Sequence, residues 1–535
     1  MPESMEVRSF YLFVILLMAC QSSDRDRLNS KVLHYNQPNY ITSLDPAFAK
    51  SQNNIWAVDH IYNQLVGLDS SLNLMPEIAS AWQISDDRKT YTFSIRKGIG
   101  FHKNSCFGKD SLRYLNASDV VYSFSRLIDT ILNPPGSWVF LGKVDADSPF
   151  LAPNDSTFIL KLKEPFAPIM QILTMQYCSI LPQEAVAYYK DDFRKNPVGT
   201  GPFMLKKWID RSGMFLSRNS SFFLENQSNL DGIRISFMED RSIAYLELLK
   251  GKIDFFSGIN SSFSSQLFDD EGNLRDESQS KFHVLKNDFL NTEYIGINLN
   301  AVHENHILRN ADFRRALSLS IDKNLLVKTL RNGVGTPAES GFIPKGLPSF
   351  SLQKRKFIFN KSQAVTLVQK AAYDFSNPLH KLTVYTNKDY IDIITFVAKQ
   401  WQNIGINVAI ELLETATLRE KMKKGELMMF RASWIADYPD EESFMNVFYS
   451  QNAAPPNYTR FNNTNFDKAY IACVQETDPD LRDSLFVMMN DIIMEENPVI
   501  PLFYDQSVWV FSKYIFGLKS NSINLLSTIG VKELN

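Results

Sequence analysis

Arg431, Trp434, Asp437 and Tyr438 fall within eight positions, in the run Met428 to Asn446 read as M-M-F-R-A-S-W-I-A-D-Y-P-D-E-E-S-F-M-N. These residue types recognise ligands. A carboxylate held in a cleft suits an ammonium, and a guanidinium fork suits a carboxylate, in bidentate fashion where geometry permits. Tryptophan and tyrosine add apolar wall and stacking area. The alternative for the same residues is a solvated turn with a buried Trp.

A strand must position them. Gly425 breaks a preceding helix, and Leu427 to Ser433 reads as a short strand that ends among the four residues. Ligands in open α/β sheets settle beyond the carboxyl ends of strands. Just upstream, Lys381–Tyr385, Ile391–Gln402 and Ile406–Leu412 read as strand, helix and strand, the helix burying Ile394, Val397, Ala398 and Trp401 at helical spacing. A second such unit comes earlier: Ile233–Phe237, Ser242–Lys250 and Ile253–Phe256, with Gly251 where a helix C-cap belongs. Thr292–Leu299 reads as another strand, and Leu481–Glu495 as a long late helix. Two βαβ units so far apart imply two α/β lobes with chain crossing between them.

The chain has 535 residues, too many for one core. Its net charge of −3 with no basic block argues against a nucleic-acid partner and a polybasic membrane patch. Arg8 precedes an apolar run, Phe10 to Ala19, too short to span a bilayer and suited to a secretory leader. The run ends in Leu17-Met18-Ala19-Cys20, which looks like a bacterial lipobox, so Cys20 is expected to be the lipidated N-terminus of the mature chain. Cys106, Cys178 and Cys473 remain, an odd number without metal-site spacing, and Cys178 and Cys473 read as small buried hydrophobes.

Enzyme signatures are missing from the sequence. There is no G-x-S-x-G elbow, H-E-x-x-H or Walker motif. His303 and His306 form H-x-x-H in a polar loop, which reads as solvated. Asn196-Pro197-Val198-Gly199-Thr200-Gly201-Pro202-Phe203 fixes a tight backbone path but lacks the lysine of a phosphate loop. No catalytic residue, metal ligand or cofactor is expected.

Several runs together resemble the extracellular solute-binding proteins of family 5, the oligopeptide- and dipeptide-binding proteins of ABC importers. They are Ser43-Leu44-Asp45-Pro46, Ile61 to Val66, Gly98 to His102, Ala117 to Ser123, Pro197 to Phe203, Asp312 to Val327, and Arg431-x-x-Trp434-x-Ala436-Asp437-Tyr438. Two departures stand out. The loop 103–116 is longer than usual and carries Cys106, and Asp440-Glu441-Glu442 stands where the family often has a proline. The loop is expected to be a surface excursion. The acids are expected either to favour a cationic ligand or to face water.

The resemblance implies a mixed α/β fold of the periplasmic-binding-protein type, cluster C: two α/β lobes around a ligand cleft plus a small additional domain. The expected divisions are a signal peptide with lipobox at 1–20 and a tether at 21–30. Lobe I is expected from 31–55, 197–285 and 500–535, domain II from 56–196, and lobe III from 286–499. The expected function is capture of small peptides in the cell envelope by a lipid-anchored monomer that delivers them to an ABC permease and ATPase complex. By the same resemblance, Asp437 holds the peptide amino terminus and Arg431 neutralises the carboxyl end of short peptides. Relatives also bind nickel complexes, haem and sugars. A ligand sensor and an envelope hydrolase are the alternatives from other classes.

Overall fold

The structure, a computed structural model, describes residues 31–109, 111–224, 228–258, 266–269 and 273–533. The leader, Cys20 and the tether lie outside these residues.

Fourteen strands frame the chain. They are β1 (Val32–Gln37), β2 (Ala79–Ile84), β3 (Thr90–Ile95), β4 (Phe150–Asn154), β5 (Thr157–Lys161), β6 (Phe203–Ile209) and β7 (Gly213–Arg218). They continue with β8 (Gly232–Phe237), β9 (Phe255–Ser257), β10 (Phe282–Ile297), β11 (Leu382–Thr386), β12 (Val408–Leu412), β13 (Met429–Ile435) and β14 (Val499–Ser512). The strands β2-β3-β5-β4 make a separate four-stranded antiparallel sheet. The others form one 11-stranded sheet in the order β12-β11-β13-β10-β14-β9-β1-β8-β7-β6, with the short pair Thr336–Pro337 attached to β14.

Both βαβ units are present, and they differ. β11 and β12 are adjacent and parallel, joined by α1 (Ile391–Gln402). Ile394, Val397 and Trp401 of this helix are buried, and the Trp401 indole N–H donates to Leu317 O at 2.9 Å. In the earlier unit β8 and β9 do not touch: β1 lies between them, parallel to both. The N-terminal strand is therefore inserted into a unit that its own segment does not encode.

The sequence leads one to expect two lobes, and the sheet runs through both without a break. β10 has 16 residues and β14 has 14, and they pair antiparallel from Phe282↔Ser512 to Gly296↔Val499. Their register shifts between Asp288 and Thr292 and again between Glu293 and Tyr294. Such bulges bend and twist a pair of strands locally. One core gathers residues from 33–255 and 509–531 together with Tyr438, a smaller one joins residues from 244–282 to Val508 and Val510, and residues from 290–503 make two further clusters.

The proline-glycine run has a physical reason. Gly201 N–H donates to Ile61 O at 2.8 Å, and Thr200 Oγ1 donates to Asn63 Oδ1 at 3.0 Å. A Cβ on Gly199 or Gly201 would stand 2.1 or 2.4 Å from Ile61 backbone atoms, so only glycine admits this approach. The His102 ring meets Gly201 O at 2.9 Å, which draws two of the sequence motifs together. The excursion at 103–116 is tied down as well. Its Arg113 pairs with Asp119 at 2.6 Å and with Glu184 at 2.8 Å, and Tyr189 donates to Asn104 at 2.9 Å. Cys178 and Cys473 are fully buried, and Cys106 is half-buried. His306 is buried rather than solvated: its ring accepts from Leu308 N–H at 3.2 Å and reaches Lys381 O.

Candidate functional site

The helix Thr415–Lys424 ends at Gly425, whose φ of +76° turns the chain into β13. β13 pairs antiparallel with β10 in the register Asn291↔Ile435, Glu293↔Ser433 and Ile295↔Arg431. Alternation along the strand then decides what faces what. Arg431, Ser433 and Ile435 share one face, and Phe430, Ala432 and Trp434 share the other.

The expected cluster of four is therefore divided. Trp434 points away from Arg431 and packs, half-buried, against the core that holds Phe430, Ala432 and Phe444. Its indole N–H donates to Ser443 O at 2.5 Å. Odd spacing along a strand puts the two side chains on opposite faces, so Trp434 and Arg431 cannot grip one small ligand from the same side.

Arg431 itself is buried, and its guanidinium is ion-paired with the buried Glu293. It also lies over the Tyr390 ring. Asn291 Nδ2 donates to Glu293 Oε1 at 3.3 Å, which fixes the acid. Burial pushes the Glu293 carboxyl up, and Arg431 opposes that shift. A free guanidinium was expected; a neutralised one is found.

Tyr438 is not part of an open wall. It is 2% exposed and packs into the core of the N-terminal half. Its hydroxyl donates to the Glu442 carboxylate, as does that of Tyr470. The acids at 440–442 are buried and do not face water. Asp440 receives a forked pair of bonds from Arg482 at 2.7 and 2.8 Å, and Glu441 accepts from Ser349 N–H at 2.9 Å. All three are buried because each has a partner inside the protein.

Asp437 differs from all of these. Its backbone N–H is held by Ser443 Oγ at 3.1 Å, and the side chain keeps solvent access. No cation or hydrogen-bond donor among the described residues is paired with its carboxylate. The group nevertheless sits deep among protein atoms. Burial, helped by the neighbouring Glu442 charge, pushes its pKa up to about 6. Tyr177 stands nearby, its phenol pushed up by burial and then by the Asp437 charge. Ile435, two residues before Asp437, leaves 49% of its surface exposed, unusual for a large apolar side chain at a strand end. Ser433 and Ile435 share a face of β13, and Asp437 follows two residues beyond the end of the strand.

Four of these partners were not anticipated from the sequence. Ser433 and Ile435 follow from counting by twos back from Asp437. Glu293 is a lone acid before the apolar run Tyr294-Ile295-Gly296-Ile297. Tyr177 carries no local signal, because the fold alone brings it to Asp437. Elsewhere a cavity of about 380 Å³ is lined in part by Asp59, Asn63, Gln64, Glu77 and Gln176. Burial and then the Glu77 charge push Asp59 up to about 7, and Gln176 donates to it at 3.1 Å.

Comparison with known proteins agrees with this architecture. Heme-binding protein A of Haemophilus influenzae is 27% identical over 83% of this chain and 81% of its own length. A probable D,D-dipeptide-binding periplasmic protein of Escherichia coli is 26% identical over 90% of this chain and 89% of its own. Among solved structures, the ABC transporter-associated periplasmic binding protein DppA of Helicobacter pylori, in complex with the peptide STSA, matches with a TM-score of 0.78 at 25% identity, covering 94% of this chain and 98% of that one. HbpA2 of Haemophilus parasuis shares the fold with a TM-score of 0.81 at 22% identity, over 94% of this chain and 100% of that one. The profile of bacterial extracellular solute-binding proteins, family 5 (middle region), matches residues 73–456, most of the chain, and the chain belongs to that family.

Proposed function

We propose that this solute-binding protein captures short peptides in the cell envelope, seats their ammonium on Asp437, and passes them to an ABC permease and ATPase. The observation that carries the reading is the solvent-accessible, unpaired Asp437 carboxylate two residues beyond the end of β13. A carboxylate with no cation of its own is a strong partner for an ammonium. The exposed Ile435 and the half-buried Ser433 on the same strand face would supply apolar and polar contacts to an extended peptide irrespective of its side chains. The peptide complex of the Helicobacter pylori relative adds support. Incubation with mixed di- to hexapeptide pools, followed by native mass spectrometry, tests it. Retained masses should all carry a free amino terminus. Retention of amino-blocked peptides to the same extent, or of no peptide, overturns the reading.

The lipid anchor and the domain division belong to the same proposal. Leu17-Met18-Ala19-Cys20 supports attachment through Cys20, and Cys20→Ser should move the protein from the membrane fraction to the soluble envelope fraction. The separate cores support lobe I at 31–55, 197–285 and 500–535 and lobe III at 286–499, with domain II at 56–196 around the four-stranded sheet.

A further inference from the structure

We infer that Glu293 sets the specificity of this cleft by occupying Arg431, so that the site selects peptides whose carboxyl terminus lies beyond Arg431 or is uncharged. The inference rests on the peptide reading above. Arg431 lies on β13 and Asp437 two residues past its end, six residues apart and so at most about 20 Å at roughly 3.3 Å per residue. Their side chains close part of that span. A peptide of about three or four extended residues, at the same rise per residue, anchored by its ammonium at Asp437, would bring its carboxylate to the guanidinium.

One amino group of that guanidinium is already taken, and its charge is paired. Glu293 lies on the neighbouring strand β10, directly opposite Ser433, on the face that carries Arg431. Both partners are buried, at 3% and 8% exposure, and Asn291 holds the acid from its other oxygen. The Tyr390 ring covers the guanidinium, and its Nε–H is buried without a hydrogen-bond partner among the described residues. A ligand carboxylate could take the amino group that Arg431 gives to Glu293 only by displacing that acid. That would strand a buried anion beside Asp505, whose charge already bears on Glu293 and which is itself held by Arg331 at 2.6 Å. Removing one partner of a buried pair leaves an uncompensated charge, which is strongly unfavourable. The charges of Arg431 and Glu293 offset each other, whereas Asp437 has the Glu442 charge as a neighbour, so the Asp437 end is negative. A free carboxylate within reach of this face meets repulsion from Asp437, and Arg431 has its charge paired with Glu293.

Calorimetric titration of the full chain with tetra-alanine, its C-terminal amide, and the matching pair of octapeptides tests this. In the wild type, the tetrapeptide amide should bind at least as tightly as the acid, up to about tenfold tighter. The octapeptide acid and amide should bind alike. In Glu293→Gln the Arg431 charge is released, and the tetrapeptide acid should gain tenfold or more over its amide. A wild type that prefers the tetrapeptide acid tenfold overturns the inference whether or not the variant folds. An unchanged acid-to-amide ratio in a folded Glu293→Gln variant does the same. Failure of every peptide to bind, acid and amide alike, overturns the peptide reading and this inference with it. An acid preference in the wild type overturns this inference alone.

Discussion

Tyr438 stacks on Trp138, with ring centroids 6.2 Å apart and planes inclined by 28°, although the two residues are far apart in the chain. Trp138 in turn meets Tyr177 edge-on at 6.5 Å, and Ala167 N–H donates to Val474 O at 2.8 Å. The segment 138–177 is thereby seated on the segment that carries Asp437. A stacked aromatic pair contributes about 0.5–1.5 kcal/mol beyond its buried area. Trp138→Ala should lower stability to denaturant by roughly 1–3 kcal/mol, since a partly buried ring is removed as well. Trp138→Phe should retain most of it. Equal losses from both variants would mean that the stack is not the source.

Asp437→Asn keeps the shape of the side chain and removes its charge. Truncating one partner of a desolvated charge pair costs roughly 2–5 kcal/mol. That is about a thirtyfold to several-thousandfold loss of affinity. Acetylating the ligand amine should weaken binding to the wild type by a similar factor and add little to the variant. Additive losses in calorimetry on all four combinations would show that Asp437 does not hold the ammonium.

The raised Asp437 pKa gives binding a pH profile. The carboxyl titrates at about 6, because burial and Glu442 disfavour its charge. Above that pH it is ionised and attracts the ammonium; below it the attraction is lost. Affinity should be flat above about pH 7 and fall toward tenfold per pH unit below 6, as expected when binding releases one proton. Asp437→Asn should flatten this limb of the profile.

Asp59 affects folding in the opposite direction to a salt-bridged acid. Its folded pKa is raised from 3.8 to about 7 by burial and by Glu77. Between those values the folded chain binds more protons than the unfolded one, so this group's contribution to stability declines as pH rises from about 4 to 7. Asp59→Asn should raise the thermal midpoint at pH 8 and leave it nearly unchanged near pH 4. A variant less stable than wild type at pH 8 would show that Gln176 outweighs the desolvation penalty.

Gly201→Ala should lower stability by roughly 1–3 kcal/mol or more, because overpacking against backbone has no rotamer to relieve it. The added methyl would meet Ile61 C at 2.4 Å and Ile61 O at 2.6 Å. An unfolding curve unchanged from wild type would contradict this close approach.

The local elements were legible in the sequence. Ile391–Gln402 occupies the residues its periodicity implies, and the site strand starts two residues later than its apolar start suggests. Pairing was less legible. Phe282 to Asn291 extends the expected strand at Thr292 by ten residues, yet Lys286, Asn287 and Asp288 give it the look of a loop; pairing with β14 makes it a strand. At the site, residue types were read correctly as charged and aromatic, but proximity in sequence was taken for proximity in space. Trp434 and Arg431 are three apart, which brings side chains together on a helix and separates them on a strand. The partners that neutralise charge, Glu293 for Arg431 and Arg482 for Asp440, come from remote segments and leave no mark in the local pattern.

The ribbon of β10 and β14 has a further consequence for how the molecule divides. Either half of the sheet borrows its central strands from the other, since each long strand pairs with β9 or β13 at one of its ends. No single cut of the chain yields a fragment with a complete sheet. Truncation products should therefore be insoluble, and the two halves should lose structure together on heating, as one cooperative unit despite their separate cores.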